Sequence, residues 1–167
     1  PLRWTADSAR LHLHLPRPLR HGDSRTFRIR YSCIPRRGLY FIGPSEMFPD
    51  DPRQIWTQGQ GEDNRHWFPC HDFPNDKATS EVGMTVDTAL RAISNGALMS
   101  RRDNGDGTVT WHFHQDKPHC SYLVMLAAGK YGVFREEADG VAVENWFYPS
   151  DDPADVRRTF DDTADML

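Results

Sequence analysis

The 167-residue sequence is poor in cysteine: Cys33, Cys70 and Cys120 are odd in number, far apart and never spaced C-x-x-C. That pattern excludes a disulfide framework and a thiolate zinc site and leaves the thiols as small packing groups. Long apolar runs are also missing. Nothing approaches the roughly 20 residues that cross a bilayer as a helix, and Pro1 is followed by no basic-then-apolar leader, so no membrane partner is expected. The 20 Lys and Arg are outnumbered by 24 Asp and Glu, giving a net charge of −4, and are scattered along the chain. Without a cationic stripe to neutralise phosphates, nucleic acid is not an expected partner either. The chain has no initiator methionine and reads as an excised piece of a longer polypeptide.

What is abundant is turn chemistry, with 12 Gly and 12 Pro beside an ordinary 38% of hydrophobic residues, which favours an all-β architecture over long helices. Leu11, Leu13 and Leu15 alternate with His12 and His14, and Phe27, Ile29 and Tyr31 alternate with Arg28 and Arg30. This is the period of a strand with one buried face, and the two runs are expected to pair. Residues 39–42 read as a third strand and 44–74, rich in proline and aromatics, as a structured loop. Val82, Met84 and Val86 alternate again, and 89–93 is expected to continue that sheet. Asp103-Asn104-Gly105-Asp106-Gly107 predicts a hairpin before the alternating Val109, Trp111 and Phe113. Residues 122–128 read as a buried strand and 141–148 as the last one.

A change of character comes at Asp151. Asp152 suits an N-cap, Pro153 the first helical position and Asp155 the positive end of the dipole. Val156, Phe160, Ala164 and Leu167 then follow at helical spacing. The expected organisation is a β-sandwich domain over 1–150 and, over 151–167, a linker with the first helix of a further domain, cut short at Leu167.

Catalytic motifs are absent. No histidine of the eight is followed by Glu, so there is no H-E-x-x-H, and there is no G-x-S-x-G, P-loop or G-x-G-x-x-G. Two histidine pairs, His12/His14 and His112/His114, sit at i, i+2 on predicted strands, where two imidazoles share a face and could bind a metal with a third ligand such as His119. Each pair also occupies the polar half of its strand, where a solvent-facing histidine needs no further purpose. No metal ligand is therefore assigned. Residues 103–108 lack the ligand spacing of a calcium loop and read as a turn.

One stretch carries a more specific signal. Thr57-Gln58-Gly59-Gln60 is followed by Arg65, then by Phe68-Pro69-Cys70-His71-Asp72-Phe73-Pro74 and by Lys77-Ala78-Thr79. This order resembles the N-terminal domain of the aminopeptidase N family of zinc peptidases, which includes leukotriene hydrolase and the cold-active bacterial aminopeptidases. Gly38-Leu39-Tyr40 before the stretch, and Ser121-Tyr122-Leu123 ahead of Gly129, extend the resemblance. It implies a saddle-like antiparallel β-sandwich followed by a short C-terminal helix. It also implies a role for two amides: Gln60 would take the free amino group of a peptide substrate, with Gln58 beside it near the first side-chain pocket. Arg65, Asp72 and Lys77 would lock the loop.

By the same resemblance the zinc of the parent enzyme, its H-E-x-x-H and a G-x-M-E-N strand belong to a catalytic domain outside this chain, so no catalytic residue and no cofactor is expected here. The implied partners are that catalytic domain and the amino terminus of a peptide. The family's early strands are expected to be missing before Gly38, which would leave an open sheet edge able to pair with another copy. Other readings are a stand-alone β-sandwich binding module, with its helix docked on its own sheet, a histidine-metal enzyme using His112 and His114, and a non-enzymatic relative of the transcription-factor type.

Overall fold

The computed structural model describes residues 2–166, which divide after Ile34 into two compact units. In the first, β1 (Arg3–Ala6) and β2 (Leu11–His14) form an antiparallel hairpin with Trp4 opposite Leu13 and Thr5 opposite His12. Asp7 makes the turn: its Oδ1 accepts from the amides of Ala9 and Arg10 at 2.7 and 2.8 Å. Those two amide bonds favour the ionised form and hold the Asp7 carboxyl below the usual carboxylate range.

The expected pairing of β2 with the run around Phe27, Ile29 and Tyr31 is not what forms. Those three residues lie outside any strand and are 43%, 41% and 50% exposed. Chain entropy favours the pairing that does form. A partner immediately upstream, joined by a short Asp7 turn, costs less loop closure than one across the connection from Leu15 to Thr26.

The second unit is a β-sandwich. β3 (Leu39–Ile42), β4 (Gln54–Thr57), β6 (Arg91–Ser94) and β9 (Leu126–Gly129) make an antiparallel sheet in the order β3-β4-β9-β6. β5 (Lys77–Asp87), β7 (Ala97–Asp103) and β8 (Thr108–Cys120) make a second, in the order β5-β8-β7. The period-two pattern of 82–86 and 109–113 sends Met84, Val86, Val109 and Phe113 inward, where they meet Ala92 and Ala128 of the other sheet, with Ile55 packed against them. Each large side chain buried this way contributes about 2 kcal/mol, and the small Ala92 and Ala128 let the two sheets approach. The fold expected from composition and alternation is therefore the one observed.

Several strands are absent from the sequence pattern or placed differently by the fold. β4 lies inside the stretch read as loop, between prolines and Gly59, and is only four residues long. β6 does not continue β5. Asp87 Oδ1 accepts from Ala89 N at 2.8 Å and Asp87 O from Leu90 N at 2.9 Å, and this turn carries the chain across to pair with β9. β10 (Gly132–Ala138) pairs with β11 (Val141–Phe147) through Asp139-Gly140, whose φ values of 48° and 79° are those of a two-residue hairpin turn.

The helix α1 (Pro153–Phe160) starts where the cap chemistry places it, with Asp152 Oδ1 accepting from Ala154 N at 2.8 Å. It stops at Phe160 and a 3-10 turn covers Ala164–Met166, while Leu167 lies outside the described residues. Val156 is 7% exposed, and the Arg157 guanidinium lies 5.0 Å over the Phe134 ring of β10, so the helix is docked on the β10–β11 hairpin.

Candidate functional site

Thr57 closes β4 by bonding across to β9: its hydroxyl accepts from Leu126 N at 3.0 Å and donates to Leu126 O at 3.3 Å. The chain then leaves the sheet. Gln58 N donates to Gly38 O at 2.9 Å, and Asp63 N donates to Gly59 O at 3.1 Å, which folds residues 59–63 into a compact turn around Gln60. Gly38, at φ 79°, is required in its place: a Cβ there would lie 2.2 Å from Asp63 O. Gly59 is equally confined, its hypothetical Cβ falling 2.4 Å from Tyr122 O and 2.6 Å from Asn64 Oδ1. Gly59→Ala is expected to push the loop off the sandwich and cost about 2 kcal/mol, measured by urea unfolding.

The loop is anchored twice to the 3-10 turn Ser121–Leu123. Asn64, fully buried, donates from Nδ2 to Ser121 O at 2.6 Å and Val124 O at 2.9 Å, and accepts from Trp67 Nε1 at 2.8 Å. Asp72, with a side chain 1% exposed, accepts from Ser121 Oγ at 2.8 Å on one oxygen. On the other it accepts from Arg65 N at 3.0 Å and Arg65 Nε at 3.3 Å. Arg65 Nη2 further donates to Asp72 O at 2.8 Å and to Glu62 Oε2. The locking role expected of Arg65 and Asp72 is thus visible as bonds. Lys77 instead heads β5 opposite Cys120 and meets no carboxylate among the described residues. Burial pushes the Cys70 thiol up to about 12, with the Asp72 carboxylate adding to the shift, so Cys70 packs as a neutral group.

Against this rigid frame, Gln58 and Gln60 are both exposed, and neither side-chain amide makes a hydrogen bond among the described residues. Free carbonyl oxygens on a fixed loop can accept from an incoming ammonium group. Asn64 was not singled out in the sequence. The only sign was its place just before Arg65, since burial of an asparagine leaves no periodic trace.

The histidines do not assemble a metal centre. His112 Nε2 and His114 Nδ1 face the two oxygens of Glu81 at 3.4 and 3.3 Å, an arrangement set by the β5–β8 register that places Glu81 opposite His114. His119 points elsewhere, to Ser80 Oγ at 3.3 Å and Lys117 O at 3.1 Å. No group of three ligating side chains suited to a metal ion occurs among the described residues. With no H-E-x-x-H in the sequence, these donors do not fit the catalytic zinc of a metallopeptidase.

Comparison with known proteins bears on the same region. A family model described as the peptidase M1 N-terminal domain matches residues 3–123. Aminopeptidase B of Rattus norvegicus is 27% identical over 114 residues, covering 68% of this chain and 17% of that protein. Transcription initiation factor TFIID subunit 2 of Drosophila melanogaster is 26% identical over 122 residues, covering 70% and 10%. A solved mutant two-domain M1 zinc metallopeptidase bound to L-arginine superposes with a TM-score of 0.73 at 23% identity, over 91% of this chain and 36% of that one. The chain therefore spans less than a fifth of these curated relatives and about a third of the solved enzyme.

Proposed function

Since the chain belongs to the peptidase M1 N-terminal domain family, we propose that it is the non-catalytic front domain of a zinc aminopeptidase and supplies the amide that anchors the substrate's amino group. The observation that carries this reading is the contrast at one loop. Gln58 and Gln60 are exposed with unengaged amides, while Asn64, Arg65 and Asp72 hold the backbone around them. A recognition amide works only if its loop is held within about half an ångström of its productive place. The zinc and its general base belong to a domain outside this chain, and residues 151–167 begin the passage to it. A zinc held by that domain would supply the Lewis acid for activating the hydrolytic water. The residues of this chain bind and orient the amino terminus.

The test compares the chain alone with the chain joined to its zinc domain, using an aminoacyl anilide. The isolated chain should show no turnover and the joined protein should. Hydrolysis by the pure isolated chain contradicts the proposal, as does inertness of the joined protein.

A second reading has one observation in its favour: α1 is docked on the β10–β11 hairpin, as a stand-alone module requires. The similarity to a TFIID subunit is compatible with a binding role of that kind. The same anilide assay separates the two, because a stand-alone module gains no activity in any context.

A further inference from the structure

The geometry points to Asn64 as the residue that positions the Gln58–Gln60 backbone for amine recognition, an inference that rests on the reading of Gln60 as the anchor. Asn64 is 0% exposed. Its side chain is engaged at both ends: Nδ2 donates to two carbonyls of the 121–124 turn, at 2.6 and 2.9 Å, and Oδ1 accepts from Trp67 Nε1 at 2.8 Å. Enclosed in this way it is out of reach of a ligand, so any effect on substrate passes through the backbone. That backbone is in contact: Gly59, the residue between the two glutamines, lies so close to Asn64 Oδ1 and Tyr122 O that a Cβ would fall 2.6 and 2.4 Å from them. The Asp63 N to Gly59 O bond of 3.1 Å closes the turn on the other side.

The choice of an amide follows from its surroundings. Two part-buried carbonyls take donors and a part-buried indole N–H takes an acceptor. Aspartate would set oxygen against the carbonyls, leucine would leave all three groups unsatisfied, and alanine would add a cavity. In each case the loop must move to find water, and Gln60 moves with it.

The experiment measures KM and kcat on an aminoacyl anilide for the complete peptidase and its Asn64→Ala, Gln60→Ala and double variants. Val109→Ala, buried in the sandwich core, serves as a destabilised control. Asn64→Ala should raise KM about tenfold, a modest loss where a 1 Å misplacement costs roughly a hundredfold. The double variant should be no worse than Gln60→Ala, because the positioned group is already gone. Val109→Ala should leave KM unchanged.

Wild-type KM in Asn64→Ala, or an effect that multiplies fully with Gln60→Ala, overturns the inference alone. Wild-type KM in Gln60→Ala removes the anchor reading and this inference with it. Should Asn64→Ala fail to fold, Trp67→Phe removes the N–H given to Oδ1 while keeping a ring, and should raise KM in the same direction. An unchanged KM there is equally fatal.

Discussion

Gln60→Ala in the complete peptidase is expected to lower kcat/KM by about 30-fold, the equivalent of about 2 kcal/mol for one hydrogen bond to a charged group. The amide is exposed and unengaged, so its removal breaks nothing in the fold and the stability of the variant should stay at the wild-type value. Gln60→Glu should act in the opposite direction. A carboxylate adds the attraction of a full opposite charge to the hydrogen bond that a neutral amide already accepts from ammonium, and Glu62, the nearest acid in sequence, is already paired with Arg65. A gain of several fold in kcat/KM is expected, largest at low ionic strength and reduced by salt. Steady-state kinetics beside a urea melt measures both effects.

The largest effect on stability is expected from Asp72→Ala, at about 3 kcal/mol, toward the lower end of the range for breaking a buried charged pair. Asp72 is almost wholly enclosed, but its partner Arg65 has a side chain 44% exposed. The arginine left behind is therefore rehydrated in part, which rules out the upper end of that range. The Ser121 hydroxyl and the Arg65 amide lose their acceptors as well. Asp72→Asn keeps one acceptor oxygen and should cost about half as much, since the bonds lost are then individual hydrogen bonds of about 1 kcal/mol each. Urea unfolding gives both numbers. Equal stability of Asp72→Ala and wild type would mean that the loop is not clamped through this carboxylate.

Much of the sandwich was legible because its strands bury one face. Val82, Met84 and Val86, and Val109, Trp111 and Phe113, announce β5 and β8 by alternation alone. The Asp152-Pro153 cap announced α1 just as plainly. Segments without that asymmetry were missed. β7 is exposed along its whole length and has no buried stripe to read, and in β10 the signal was the Asp139-Gly140 turn rather than the strand itself. The run at Phe27, Ile29 and Tyr31 shows the converse, alternation without a strand, while β2 pairs with the nearer β1.

At the site, the exposed glutamines came from the order of the flanking motif and not from any periodicity. The partners that Asp72 and Asn64 find in the 121–124 turn lie 49 to 60 residues away in the chain. Contacts of that range depend on β4 and β9 being neighbours, which no local pattern discloses. The same is true of Glu81 and its two histidines, joined only by the β5–β8 register.

The most direct test of the amine-anchor claim is competitive inhibition of the complete peptidase by two peptides that differ only in acetylation of the amino terminus. For the wild type, the free-amine peptide should inhibit much more strongly than the acetylated one. Gln60→Ala should narrow that ratio by about 30-fold, the value set by one charge-assisted hydrogen bond. A ratio identical in the two proteins would show that the amino group is held elsewhere and would contradict the account.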